Sequence, residues 1–195
     1  MKSLKGTKTA ENLMKSFAGE CQARTRYTYY SSIAKKQGYV QISNIFMETA
    51  EQEKEHAKKF YKYLKEDFVD EMIEINAAYP VSFHEDTMTN LKAAAAGENE
   101  EWTELYPEFA KVAREEGFEA IAITFERVSE VEKRHEARYN KLAKNIEEGK
   151  VFKKDEKVVW QCAICGYRVE NTVAPGVCPL CGYPQAVFSI ASKNY

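Results

Sequence analysis

The sequence predicts a mainly α protein, a four-helix bundle holding a buried metal site, followed by a small metal-bound domain at the C-terminus. Three observations carry that prediction. Glu53-x-x-His56 and Glu132-x-x-His135 repeat one spacing, which on a helix sets both side chains about one turn apart on the same face. The chain has only three His, so two of them at this offset from a Glu form a pattern. Glu20 and Glu98 precede the two pairs at matching distances, and the second set lies 78 to 79 residues after the first, as in two copies of one helical hairpin. Cys162-x-x-Cys165 and Cys178-x-x-Cys181 then form two knuckles suited to one ion. Residues 1–149 are therefore assigned to the bundle, and 150–195 to a linker plus the Cys domain.

Each element follows from local pattern. From about Thr9 to Lys36, Leu13, Phe17, Cys21, Tyr27 and Ile33 keep roughly helical spacing, and Gly38 supplies a stop. A second helix runs from about Val40 to Glu66, with Ile42, Ile45, Phe46, Ala50, Ala57, Phe60 and Leu64 inward. Residues 67–86 lose the rhythm, and Tyr79, Pro80 and Phe83 suggest a long surface crossover. A third helix begins near Asp86 or Thr87, either of which can cap it, and Pro107 is expected to kink or break it. Gly117 ends that segment, a fourth helix spans about Phe118 to Ile146, and Gly149 closes the bundle. Charged residues from Lys150 to Lys157 then read as a connector. Gly166 and Gly182, each just after a knuckle, let the backbone approach the sulfurs.

Composition excludes several classes. The 195 residues, 44% of them hydrophobic, suffice for one good-sized core plus a small domain. A net charge of −2 shows no basic excess, so nucleic acid and anionic membranes are not expected as partners. The N-terminus leads into charged helix rather than an apolar signal segment, and no run approaches the ~18 apolar residues of a membrane span. The expected location is the cytoplasm, where five Cys read as ligands or spare thiols rather than disulfides.

The bundle motif has a chemical reading. Four carboxylates facing an apolar interior repel one another and lose several kcal/mol each by desolvation unless cations neutralise them. Oxygen ligands with one imidazole per ion suit iron or manganese, and this is the ligand set of di-iron and di-manganese carboxylate bundles. Glu101, one turn after Glu98, has no counterpart in the first copy, where Ala23 stands, so the site is expected to be lopsided. About 40 residues cannot fold on their own core, so metal binding contributes to folding of the Cys domain. Its spacing alone also fits a structural zinc ribbon.

Cys162-x-x-Cys165-Gly-Tyr with Cys178-Pro-Leu-Cys181-Gly resembles rubredoxin, a one-iron electron carrier. Together with the Ala-rich run ending in Gly97-Glu98-x-x-Glu101-Trp102, and the order of bundle before Cys domain, the chain resembles the rubrerythrin family over essentially its whole length. That resemblance implies a ferritin-like bundle with a di-iron site on Glu20, Glu53, His56, Glu98, Glu101, Glu132 and His135, and one iron on the four Cys. Glu53 and Glu132, central in their motifs, are expected to bridge the ions, with Glu20 and Glu98 at opposite ends. The family implies reduction of hydrogen peroxide to water, electrons from NAD(P)H through a separate reductase, an exchange of Glu101 for His56 on one iron, and a head-to-tail homodimer. Other readings are a ferroxidase or iron-storage protein, and a non-catalytic scaffold with a zinc ribbon.

Tyr27 and Tyr106 share the repeat offset, which places both near the metals, where their hydroxyls can hydrogen-bond carboxylates or pass protons in a catalytic role, or where they are plain aromatic core. Cys21 is expected to be a buried small apolar residue, and His84, lacking a paired Glu, a loop or surface residue.

Overall fold

The computed structural model describes residues 2–192. Four helical columns form the bundle: α1 (Lys8–Lys36), α2 (Val40–Leu64), a third column made of α3 (Thr87–Glu100), a π turn (Glu101–Leu105) and α4 (Tyr106–Glu115), and α5 (Glu119–Glu147). Thr7 caps α1 by accepting from the Ala10 amide, and Asp86 caps α3 by accepting from Thr89, so one expected cap is confirmed and one was missed.

The two copies are visible in the backbone. Gly38 and Gly117 take φ of 82° and 80°, a conformation that costs any other residue a Cβ clash, and each allows the next amide to reach back into the helix. Tyr39 N–H donates to Ala34 O at 2.8 Å and Phe118 N–H to Ala113 O at 2.7 Å. The crossover between the hairpins has no regular structure but is tied down. Tyr30 Oη donates to Ser82 O at 2.6 Å, Tyr79 Oη to Lys15 O at 2.9 Å, and the Asn90 amide clamps the exposed His84 through its backbone N–H and carbonyl.

Pro107 was expected to disturb the third helix, and the disturbance falls just before it. The column continues, but the Tyr106 N–H bonds to Glu101 O five residues back, widening the turn that meets the proline ring. Ser129 Oγ donates to the Trp102 carbonyl within this turn. One residue too many is thereby absorbed in the middle of the bundle, beside the site.

Two apolar clusters occupy the two ends of the interior. Phe60, Tyr106 and Phe125 centre one; Tyr139, Tyr27 and Phe46 centre the other, and these trios are repeat-equivalent. Their ring separations match: 5.7, 5.9 and 5.1 Å in the first trio against 5.6, 6.1 and 5.2 Å in the second. Between them lies a polar layer, which is where the predicted ligands sit. Hydrophobic spacing misjudged α1 for that reason. Its inner face includes Ser16 and Glu20, while Phe17 and Cys21 are only half-buried.

The C-terminal domain is a three-stranded antiparallel sheet in the order β2-β1-β3, with β1 Lys153–Cys162, β2 Arg168–Val173 and β3 Phe188–Ile190. The expected connector is thus shorter than 150–157, because β1 begins at Lys153. The pairing with β2 is irregular between Lys153 and Val158, so the charged run lies in the distorted start of a strand. Trp160 and Phe188 fill the core with Cys162 and Cys178. Phe152 stacks on Tyr39 at 6.2 Å, and Val40 packs against the same core, seating this domain at the α1–α2 turn. No helix among the described residues is long and apolar enough to cross a membrane.

Candidate metal centres

The helices bring six of the predicted side chains to one layer: Glu20 from α1, Glu53 and His56 from α2, Glu98 from α3, and Glu132 and His135 from α5. They fall into two groups whose ligand atoms lie within 4.8 Å of one another, Glu20, Glu53, His56 and Glu132 in one, and Glu53, Glu98, Glu132 and His135 in the other. Glu53 and Glu132 belong to both. The other four divide by the repeat, each group taking one helix-leading Glu and one His. His56 Nδ1 lies 2.9 Å from Glu53 Oε2 and 3.0 Å from Glu132 Oε1. His135 Nδ1 lies 2.7 Å from Glu132 Oε2 and 3.2 Å from Glu53 Oε1.

These contacts are short but lack hydrogen-bond geometry. Six carboxylate oxygens of Glu20, Glu53, Glu98 and Glu132, and Nδ1 of both imidazoles, are buried with no hydrogen-bond partner. So many buried ligand atoms without hydrogen-bond partners in one layer are suited to cations that neutralise and coordinate them. Protein protons replace the cations poorly. Burial and the charge of Glu53 raise the Glu20 carboxyl well above its ordinary range, and the same causes push Glu98 up to about 8. Burial pulls His56 and His135 down, but the carboxylates around them prevail and push them up to about 10 and about 12. The donor set fits two ions of the oxygen-and-imidazole class, one per group, with Glu53 and Glu132 placed to be shared.

Residues behind the cluster aim it. Tyr27 Oη donates to Glu98 Oε1 at 2.5 Å and Tyr106 Oη donates to Glu20 Oε1, in each case leaving Oε2 for the interior. The two tyrosines are therefore carboxylate partners as well as core aromatics. Gln52 Oε1 accepts from His135 Nε2 at 2.8 Å, which turns Nδ1 toward the cluster as the nitrogen that would coordinate once an ion displaces its proton. Sequence reasoning missed Gln52, since nothing but its place beside Glu53 marks it. Glu101 joins neither group. It opens the π turn and lines an adjoining cavity, its carboxyl raised well above the usual range by burial and by Glu98. The side-chain arrangement is thus the one with His56 in and Glu101 out.

The second centre is built from two turns. Gly166 N–H donates to Cys162 O and Gly182 N–H to Cys178 O, both at 2.9 Å, and both glycines have positive φ. The sulfurs converge, with Cys162 Sγ 3.7 Å from Cys181 Sγ and Cys165 Sγ 3.6 Å from Cys178 Sγ, and none is in a disulfide. Burial disfavours a Cys178 thiolate, but the amides of Cys181 and Leu180 outweigh it and bring the thiol down to about 7. By contrast, against the favourable backbone amides of Tyr167 and Tyr183, burial and the neighbouring sulfurs push Cys165 up to about 12 and raise Cys181, so an ion is needed to hold all four as thiolates.

Comparisons with known proteins agree with this geometry. The family model described as rubrerythrin matches residues 11–143, and that described as the rubredoxin-like domain of rubrerythrin matches 160–189. Rubrerythrin of Clostridium perfringens is 65% identical over all of both chains, and rubrerythrin of Nitratidesulfovibrio vulgaris 49% identical over all of both. Fully reduced, all-ferrous nigerythrin superposes with a TM-score of 0.64 at 30% identity, over 97% of this chain and 92% of that one. Mycobacterium tuberculosis bacterioferritin BfrA, 14% identical, has a TM-score of 0.63 over 72% of this chain and 86% of its own, which shows the ferritin-like fold alone. Iron is accordingly the cofactor of both centres, a pair in the bundle and a single ion on Cys162, Cys165, Cys178 and Cys181. With a ferritin-like bundle and a rubredoxin-like domain in one continuous match, the chain belongs to the rubrerythrin family.

Proposed function

We propose that this protein reduces hydrogen peroxide to water at the bundle site, with electrons passed through the Cys-bound iron from an external NAD(P)H-dependent reductase. The observation that carries the reading is the presence of a one-electron thiolate cage and a two-cation carboxylate layer in one chain. A pair of ferrous ions supplies both electrons that one O–O bond needs, and the single iron can return them one at a time. Glu20, Glu53, His56, Glu98, Glu132 and His135 would hold the pair, with Glu101 available as an exchanging ligand. Tyr106 and Tyr27 each hold a proton on Oη against a ligand carboxylate, which orients Glu20 and Glu98 and tempers their charge. Gln52 fixes the His135 ring. Storage of iron would leave the built-in electron donor without a use.

The position of the Cys domain supports a head-to-tail dimer. It packs at Val40, 13 residues before Glu53, and at 1.5 Å rise per residue that is roughly 20 Å along α2. A second chain laid antiparallel would bring its own thiolate iron nearer the bundle site. A mixed dimer of a Cys178→Ser chain with a Glu53→Ala chain keeps one intact centre on each chain. Steady peroxide turnover with a rubredoxin-type reductase should return in the mixed species and be absent from both homodimers. No recovery in a verified mixed dimer rejects transfer between chains. If the unaltered, iron-loaded protein fails to consume peroxide, the functional reading itself falls. A cytoplasmic location is part of this proposal.

A further inference from the structure

Beside the cluster lies a cavity of about 370 Å³ between α1, the π-turn column and the crossover. On the bundle side it is bounded by Arg26, Glu101 and Tyr106, and over it run Ala77, Ala78, Tyr79 and Pro80. Tyr106 is the hydrogen-bond partner of Glu20, so the chamber reaches the layer of ligands. Hydrogen peroxide has two heavy atoms and needs roughly twice the ~30 Å³ share of a water molecule. The chamber exceeds that several-fold and falls within the range typical of small-molecule sites.

Two glycines border this space. Gly19 and Gly97 line the cavity, immediately precede Glu20 and Glu98, and are repeat-equivalent. Both lie inside helices, where Gly costs about 1 kcal/mol relative to Ala. Neither has a positive φ. A Cβ on Gly19 would meet Tyr79 Cε1 at 3.7 Å and one on Gly97 would meet Arg26 Nη2 at 3.9 Å, both ordinary contacts. Neither backbone conformation nor close packing requires these glycines, and at both positions the absent side chain leaves its volume to the cavity.

We propose that this chamber binds small organic hydroperoxides, with the alkyl group under Ala77, Ala78 and Pro80 and the –OOH end directed at Glu101 and Tyr106. The inference rests on the peroxidase reading above and extends its substrate class. The apolar wall suits an alkyl group, and the Arg26 guanidinium and Glu101 carboxyl at the other side can donate to and accept from a hydroperoxide. In the reaction ROOH takes two electrons and two protons, the O–O bond breaks, and ROH and water leave. The electrons are those of the reduced iron pair, and solvent supplies one proton to each oxygen. Tyr79, its ring over Gly19 and its hydroxyl held by Lys15 O, limits the size of the alkyl group.

The test uses iron-loaded protein with its electron donor and compares tert-butyl hydroperoxide with hydrogen peroxide. Both should be turned over. Ala77→Trp and Ala78→Trp, at exposed crossover positions, should each lower the ratio of kcat/KM for the organic peroxide to that for hydrogen peroxide at least tenfold, with helicity and iron content intact. Binding is read separately on the oxidised iron-loaded protein by saturation-transfer NMR with tert-butanol, the unreactive product. The signal should be lost in Ala77→Trp and retained in Val81→Trp, whose side chain does not line the cavity. Consumption of hydrogen peroxide with no turnover of the organic one overturns this inference alone; so does an unchanged ratio with undiminished tert-butanol binding in both Trp variants. If neither peroxide is consumed, the functional reading fails and this inference with it.

Discussion

The two metal centres are assembled in opposite ways. The Cys cage is made by two backbone turns whose outermost ligands are 19 residues apart, and its sheet encloses a core of six buried residues. The bundle site gathers side chains from four helical columns, and its supporting contacts span 71 and 86 residues in sequence. In the first, the metal replaces a hydrophobic core that the segment is too short to provide. In the second, two aromatic clusters build the scaffold, and the metal relieves a charge conflict that the scaffold imposes. One centre should therefore fall apart without its ion, while the other should persist in a strained form.

Removing metal from both sites gives the largest contrast. Structural ions in small Cys domains contribute on the order of 10 kcal/mol, so amide protection in residues 153–190 should collapse while helical circular dichroism stays close to that of the loaded protein. Loss of the helical signal in step with the sheet would break the comparison. Next in size is Glu53→Ala, which removes a carboxylate common to both ligand groups. Iron counted after desalting should drop by at least one ion per chain from the bundle, with the visible colour of the Cys-bound iron retained. Full occupancy would show that Glu53 is not a ligand.

The strain of the metal-free bundle should also appear in its pH dependence. Glu20 and Glu98 carry raised pKa values in the folded chain, Glu98 about 8, and His56 and His135 are raised to about 10 and about 12. Raised groups bind more protons folded than unfolded, so their stabilisation is complete below the unfolded values and is lost as pH rises through the folded ones. Glu53, lowered mainly by its two imidazole partners against the effect of burial, acts in the opposite sense and only at acid pH. The metal-free bundle should thus lose thermal stability steadily from about pH 5 to pH 9, and loading with iron should flatten that slope. A metal-free midpoint that rises across this window would contradict the charge conflict.

The smallest effect tests the match between the two aromatic trios. Tyr139 stands where the first copy has Phe60, and its buried hydroxyl lies near Thr49, whose Oγ1 already accepts from Arg138, without a hydrogen bond of good geometry. Tyr139→Phe should be neutral or stabilise by up to about 1 kcal/mol, seen as a higher thermal midpoint. Tyr106→Phe, which strips a bonded hydroxyl from Glu20, should cost about 1–2 kcal/mol in the same assay. Equal effects would mean that the two trios use their hydroxyls alike.

Much of this was legible in the sequence because the chemistry is periodic. Glu-x-x-His twice, two leading Glu and two Cys knuckles are short-range patterns, and duplication at 78 to 79 residues shows which acids belong together. Helix limits came within two residues for α1, α2 and α5, since Gly38, Gly117 and Gly149 mark the chain reversals. The inner face of α1 was harder. A helix that buries Ser16 and Glu20 has little hydrophobic contrast, so Phe17 and Cys21 looked more internal than they are.

What the sequence determined by itself was that six Glu and His side chains of the bundle and four Cys would each come together, that helices precede a small Cys-bearing sheet, and the chemical class of each cluster, because all three depend on residue type and local spacing. Only the tertiary structure decided that Glu101 stands apart from the cluster, that Gln52 orients His135, that Tyr27 and Tyr106 serve the Glu of the opposite copy, and that a cavity lies beside Gly19 and Gly97. Those facts depend on a π turn, on the rotation of four helical columns about their axes and on the course of a crossover without regular structure. None of these is set by spacing within one segment; each results from how separate segments pack against one another.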